Sequence, residues 1–460
     1  MSSQLATKAD YGAAPLDLGV TKALAAFLSS MSYDDLPPAA AHQARRGILD
    51  WIGCALAAHR HPTMEKLIAV LRDLNDAPRA RVLGRETKLG LLEAATANGQ
   101  MGHLLDFDDT HMGGVVLHTS SPVLAALFAL AERGTYGGRD LMTAYAAGFE
   151  AGVRCGQSAP GHHDGGWHLT GTLGSVAAGA ASARLLGLDV QQMTHALGIA
   201  ATQAAGMQQN RGTMCKSFHA GKAAANGVLA ALLAQQGFDS SDEIIEGKRG
   251  FCRIYSHVAA PERVLDQLGE RWEIARNGHK PYACGVVLHP AIDAVIALRR
   301  QAMVDARDIA SIEVIVHPLA VKITGVVEPK TGLQSKFSIY HSAAVAYLDE
   351  DAGISQYTNE RALAPDVVDL RRKVQVSTDA TLRKDEARAR VTALDGATHE
   401  VHLPHASGTV MNPMSDAAIE TKFLANATPA IGLQRARHVV DLVWRLEDVP
   451  DVRSLIEACA

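Results

Sequence analysis

GTLGSVAAGAASARLLGL, residues 171–188, and GKAAANGVLAALLAQQGF, residues 221–238, decide the fold. Each is apolar nearly all round at helical periodicity, and each ends at a Gly, the residue that commonly closes a helix. A helix with no polar face must be covered on every side, so the pair predicts a bundle. Their many Ala and Gly residues would let neighbouring backbones approach closely. Working outward, SPVLAALFALAERG (121–134) and DLMTAYAAGFEAGVRCG (140–156) repeat the pattern. An all-helical body is therefore expected from about Asp17 to about Gly237, after some ten residues that look disordered. No solenoid period recurs.

The character changes after about Trp272. SIEVIVHP, RKVQVST and ARVTALDGATHEVHL alternate β-branched and polar residues, and Asp395-Gly396 sits between two such runs as a hairpin signal. Helical patterns return at HPAIDAVIALRRQ and SIYHSAAVAYLDE, and again from MSDAAIETKFLANA to the end. The expected architecture is mainly α. An all-helical domain comprises residues 12–267 plus 401–460, with the tail packing back onto it, and a smaller α/β domain comprises 268–400.

The 460 residues carry a formal net charge of -5 with both signs interspersed, which argues against a nucleic-acid partner. A local cluster of Lys and His could still receive an anion. None of the six cysteines forms a C-x-x-C pair, so zinc-ribbon, thioredoxin-like and common iron–sulfur spacings are absent. Scattered cysteines read as reduced and cytoplasmic. The N-terminus shows no secretory pattern, and apolar runs such as Val123–Leu130 fall short of a membrane span. No G-x-G-x-x-G follows a strand, Gly221-Lys222 lacks the rest of a phosphate loop, and neither H-E-x-x-H nor G-x-S-x-G occurs.

Four polar constellations interrupt the apolar pattern. The first, DFDDTH at 106–111 followed by His118-Thr119-Ser120-Ser121-Pro122, holds three Asp and two His. Helix capping by Ser121-Pro122, Asp109 or Thr110 would explain only part of it. A metal site and an acid–base site are the other readings of these residue types. The second, GHHDGGWHLTGT at 161–172, puts His168 at a helix start, where the dipole favours anions. His162 and His163 read as a solvated loop. In the third, Arg211–Lys222, the cations Lys216, His219 and Lys222 stand near the N-terminus of an apolar helix. They would oppose its dipole unless an anion balances them. The fourth, KPYACGVVLHP at 280–290, sets Lys280, Cys284 and His289 at the domain change, where small-ligand clefts commonly lie.

With these stretches in view the chain resembles the MmgE/PrpD family. The resemblance is carried by LLDFDDTH, WHLTGTLG, CKSFHAGKAAANG, EGKRGF, KPYACGVVLHPAIDA, SKFSIYHSAAVA and MNPMSDAAIETKF, in order over nearly the whole chain. It implies a large helical domain with an α/β lid, usually a homodimer, acting on small polycarboxylates without metal or organic cofactor. The shared step is proton transfer at carbon beside a carboxylate. Carried over position by position, it implies Asp106 and Thr110 in the DFDDT segment, then His118 at a slightly longer spacing. It further implies His168 before the helix start, Lys216, and Lys280. Gly285, after Cys284, stands where decarboxylase members carry a His, which favours dehydration or epimerisation.

On that basis His118, His168, Asp106, Lys216 and Tyr145 are the expected catalytic set. Thr110, Lys280, His219, Lys222, Cys284 and His289 are the expected substrate contacts. Removing a proton beside a carboxylate creates a dianion, which Lys216 and Lys280 would stabilise, with His118 or His168 protonated nearby and Tyr145 or a second His as base or acid. The leading expectation is a hydro-lyase of 2-methylcitrate dehydratase type. An epimerase of an imino- or amino-dicarboxylate such as iminodisuccinate, a cis-aconitate-type decarboxylase and a non-catalytic carboxylate binder are the alternatives.

Overall fold

The structure is a computed structural model and describes residues 19–74 and 77–460. The N-terminal stretch expected to be disordered lies outside them. The helical body comprises α1 (Val20–Ser30), α2 (Pro38–Ala58), α3 (Pro62–Asp73), α4 (Leu91–Leu104), α5 (Ser120–Ala131), α6 (Gly138–Gln157), α7 (Leu169–Leu185), α8 (Val190–Ala201), α9 (Met214–Gln235) and the short α10 (Phe251–Ile254). Strands β1 (Ala80–Arg81) and β2 (Lys88–Leu89) form a small hairpin on it.

Helix α7 is the axis, with every residue except Arg184 buried. It packs against α5, α6, α8 and α9. The expected close approach of backbones is found. A Cβ added at Gly221 of α9 would run into the Thr96 carbonyl of α4, and one at Gly227 into the backbone of Ala178 on α7. Gly227→Ala is therefore expected to lower the unfolding free energy by about 1–3 kcal/mol through overpacking. Urea titration checks this, and an unchanged midpoint would mean that the two helices separate at no cost. Past α7 and α9, Gly187 and Gly237 turn the chain at φ 66 and 82. Helix α9 starts at Met214, so Lys216, His219 and Lys222 lie within its first turns rather than ahead of it.

The second unit carries α11 (His289–Ala302), β5 (Ile309–Val316), α12 (Pro318–Thr324), α13 (Gly332–Ser335), α14 (Ile339–Asp349), α15 (Asn359–Ala362), α16 (Pro365–Arg371), β6 (Val374–Thr378), β7 (Ala387–Ala393) and β8 (Thr398–Leu403). The sheet order is β6-β5-β7-β8, with β5 and β6 parallel and the other pairs antiparallel. The hairpin read at Asp395-Gly396 is the β7–β8 connection. Helix α11 covers β7 and β8, and α14 packs on β6 and α11.

Helices α17 (Asp416–Ile431), α18 (Leu433–Trp444) and α19 (Arg453–Ala458) close the chain, with α17 packed on α2. The tail thus returns to the helical body. The join at the front of the α/β unit differs from the expected cut at 268. Strand β4 (Asn277–Gly278) pairs with β3 (Thr110–His111), which stitches that segment into the helical body. No helix among the described residues is long and apolar enough to cross a membrane.

Candidate active site

The β3–β4 pairing explains how residues far apart in sequence meet. It sets Thr110 opposite Gly278 and so brings the loop after α4 against the segment leading to Lys280. A second stitch, the bridge between Trp167 and Met207, brings the start of α7 against the loop before α9. His168, Lys216, Asp106 and His118 consequently line one cavity of about 770 Å³ between the helical body and the α/β unit.

Asp106 stands at the cavity's inner wall, 3% exposed, with φ 52. Such a backbone is uncommon outside Gly, and Asn and Asp tolerate it best. Lys216 Nζ donates to Asp106 Oδ2 at 2.8 Å, and Lys280 Nζ donates to Oδ1 at 2.5 Å. Burial alone would raise the Asp106 pKa. The Lys216 and Lys280 ammonium groups outweigh it and hold the carboxyl well below its usual range.

The imidazoles form a layer above. His118 lines the cavity, and its Nδ1 donates to the Asp109 carbonyl at 3.0 Å, with Thr110 Oγ1 at 3.2 Å. A carbonyl only accepts, so Nδ1 carries the hydrogen and Nε2 is left to take or give a proton. His168 stacks on His103 at 5.5 Å, and its Nδ1 lies 2.9 Å from Nδ1 of His219. Burial, with Lys216 and His103 beside it, pushes the His168 pKa well below its ordinary value. His103 donates from Nδ1 to Asp108 at 2.9 Å and, through burial, is pushed down to about 4. His103 and His168 are therefore neutral at pH 7 until an anion arrives.

Other expected residues sit elsewhere than their chemistry suggested. Tyr145 is wholly buried on α6 and hydrogen-bonded to Ser120, away from the cavity, and burial beside Asp109 raises its hydroxyl well above the usual range. Thr110 is wholly buried and positions His118 instead of facing the cavity. Lys280 lies behind Asp106, where it also donates to the carbonyls of Asp106 and Cys284 at 3.1 Å. Cys284 is buried, its thiol pushed up to about 12 by burial. His289 is buried against Tyr282 and pushed down to about 3 by burial. Lys222 is exposed on α9, and His219 serves as the partner of His168. The cavity therefore brings together Asp106, His118, His168 and Lys216 but not the remainder.

Sequence reasoning also missed residues. His162, read as solvated, is 2% exposed and lines the cavity with His163. Lys336 is buried beside the same cluster. It donates to the Ala283 carbonyl at 2.5 Å, and burial, only partly offset by Asp106, pushes it down to about 8. Nothing but its SKFS context marked it. Farther out, Arg211, Arg263 and Lys384 line the cavity, and among the described residues none of the three forms an ion pair. A cleft with that lining favours an anionic ligand. Gly285 also lines it at φ -56, and a Cβ there would meet nothing closer than 3.4 Å, so the position accepts a side chain.

The Asp carboxylates and imidazoles do offer one arrangement a metal could use. One ligand atom each from His103, Asp108 and His118 lie within 4.8 Å of one another. Asp108 already accepts from His103 and from Ser121 Oγ at 2.8 Å, so its carboxylate is satisfied within the protein.

Family models for the MmgE/PrpD N-terminal domain and the MmgE/PrpD C-terminal domain match residues 22–263 and 282–447. The chain is similar to a cis-aconitate decarboxylase of Aspergillus terreus, at 30% identity over 95% of both chains. It is also similar to the cis-aconitate decarboxylases of Mus musculus, at 24% identity over 95% of this chain and 92% of that one, and of Homo sapiens, at 25% over 95% and 93%.

Proposed function

The chain belongs to the MmgE/PrpD family, and from that premise we propose that it is a lyase that decarboxylates a small unsaturated tricarboxylate of the cis-aconitate type. The observation that carries this reading is the full-length likeness to the Aspergillus terreus enzyme, joined to a cation-lined cavity ending in two imidazoles. The reading reverses the order expected from Gly285. One missing imidazole weighs less than a match over nearly the whole chain, because His118 and His168 already supply proton carriers at the same end of the cavity. A homodimer is part of the reading.

The chemistry balances with these residues alone. The C–C bond to one carboxylate breaks, CO2 leaves, and the electron pair moves through the double bond into a remaining carboxylate as an aci-dianion. Lys216, ion-paired with Asp106, faces the cavity as the cation for that charge. One proton then adds at carbon, from His118 or His168. A substrate carboxylate beside His168 raises the proton affinity that burial has lowered, so binding itself prepares that acid. Apolar walls at Leu169, Leu173, Val286 and Phe337 keep the dielectric low, which strengthens each interaction.

Purified protein with chelator present, given cis-aconitate, citrate, 2-methylcitrate and enantiopure iminodisuccinate, tests this. CO2 release and loss of the near-ultraviolet absorbance of cis-aconitate are expected. Both should fall about 10²–10⁴-fold in His168→Ala and about 10²–10³-fold in Lys216→Ala. Alkene formation from 2-methylcitrate without CO2 would establish the dehydratase instead. Stereochemical scrambling alone would establish the epimerase, and silence throughout a non-catalytic binder.

A further inference from the structure

Lys422 on α17 takes no part in the chemistry above. Its side chain is 6% exposed and does not line the cavity. Its ammonium lies 2.6 Å from Asp50 Oδ1, donates to the carbonyls of Phe107 at 2.7 Å and Lys280 at 2.9 Å, and sits 3.8 Å from the Phe107 ring centroid. The ammonium is thus held by two carbonyl acceptors and by the charge of Asp50. The other Asp50 oxygen accepts from His279 Nδ1 at 3.2 Å. The close seat of α17 makes this reach possible, since even a Cβ at Gly53 of α2 would meet Phe423 at 3.1 Å.

Phe107 directly follows Asp106, and Lys280 is the buried partner of Asp106. One ammonium from the C-terminal tail therefore holds the backbone beside both members of that pair. Its charge is matched by Asp50, so it offers no net attraction to an anionic substrate, and what it supplies is position. Asp106 needs such support, because a left-handed non-glycine backbone persists only where its surroundings hold it. We infer that Lys422, with Asp50 and His279, is a positioning residue that ties the Asp106 loop to the Lys280 segment and so sets the geometry of the site. The inference rests on the reading of Asp106 and Lys216 as the heart of that site.

The test compares Lys422→Met, which strands Asp50, with the double variant Asp50→Asn/Lys422→Met, which removes both charges. The double variant is expected to recover the thermal midpoint lost in the single one. Amides in 104–111 and 277–281 should nonetheless exchange about tenfold faster than in the wild type, and kcat should fall about 10²-fold with KM within about threefold. A counter-ion of purely structural value would give recovery of all three, and wild-type exchange in both segments overturns the inference. The exchange readout stands apart from the reaction. If the wild type turns over none of the panel, the functional reading falls, while exchange still decides the strut. Lys422→Gln, whose neutral amide reaches one carbonyl but not two, is expected to loosen one of the segments. Wild-type exchange in both there overturns the inference equally, even if the double variant does not fold.

Discussion

Asp106→Asn is expected to lower the unfolding free energy by about 3–5 kcal/mol at pH 7 and turnover by at least about 10²-fold. The substitution keeps shape and backbone, since Asn tolerates φ 52 as Asp does. What it removes is the single negative charge between two ammonium groups, Lys216 and Lys280, the second of them wholly buried. Lys280 keeps its carbonyl acceptors and Lys216 keeps the Phe337 ring, but neither keeps a counter-ion at Asp106. The pH dependence identifies the cause. The folded pKa of Asp106 is depressed, so its stabilisation is complete above the unfolded value near 4 and is lost only as pH falls below it. The gap between wild type and variant should then be constant from pH 6 to pH 8 in urea titrations. A gap under about 1 kcal/mol, or one that narrows as pH rises, would show that Lys216, already lowered by burial, sheds its proton instead.

Much of this was legible before any coordinates because the signals were local. Helices α5 and α7 have no polar face, and burial on all sides follows from that alone. Alternation and Asp395-Gly396 gave the β7–β8 hairpin for the same reason. The DFDDTH loop stood out because charges between buried helices need an explanation. Residue type names the chemistry a side chain can do but not the direction in which it points. Tyr145 and Thr110 have the right groups, yet Tyr145 faces Ser120 and Thr110 faces His118. Lys280 was read as a substrate contact, and it is instead the buried counter-ion of Asp106.

The missed residues share a different cause. Lys336 and Lys422 each sit in a segment whose pattern suits a half-exposed surface, where an isolated Lys ordinarily points to water. Lys422 reaches Phe107 across 315 positions, a contact no local pattern encodes. His103 sits inside α4 and becomes meaningful only once Asp108 turns back under it. The family segments did contain two of these, in SKFSIYHSAAVA and MNPMSDAAIETKF, so the resemblance marked stretches whose physical role the residues alone left blank.

The same burial that shapes the site predicts that the protein loses stability steeply in mild acid, below about pH 6.5. His103 and His341 are pushed down to about 4, and His162 and His289 to about 3, burial being the main cause in each. In the unfolded chain all four titrate near 6.5. A His whose folded pKa is depressed contributes stability that is complete above the unfolded pKa and is lost as pH falls toward the folded one. Asp109 runs the other way. Burial, with Asp50 and Asp108 nearby, raises it to about 8, so the fold holds one proton that the unfolded chain releases above about 4. Between pH 6.5 and 4 the unfolded chain thus gains about three protons net, or about 4 kcal/mol for each pH unit. A stability of about 5 kcal/mol survives only about one such unit, and one of about 15 kcal/mol about four. Asp106 and Asp108, both held low, add nothing in this window, since they titrate below it in either state. Urea midpoints from pH 8 down to pH 5 measure the slope. His289→Gln and His341→Gln should each flatten it by about 1.4 kcal/mol per pH unit. A wild-type slope under about 1 kcal/mol per unit would mean that these rings take up protons while the chain is still folded. The neutral state of His103 in the imidazole layer would then lose its physical basis as well.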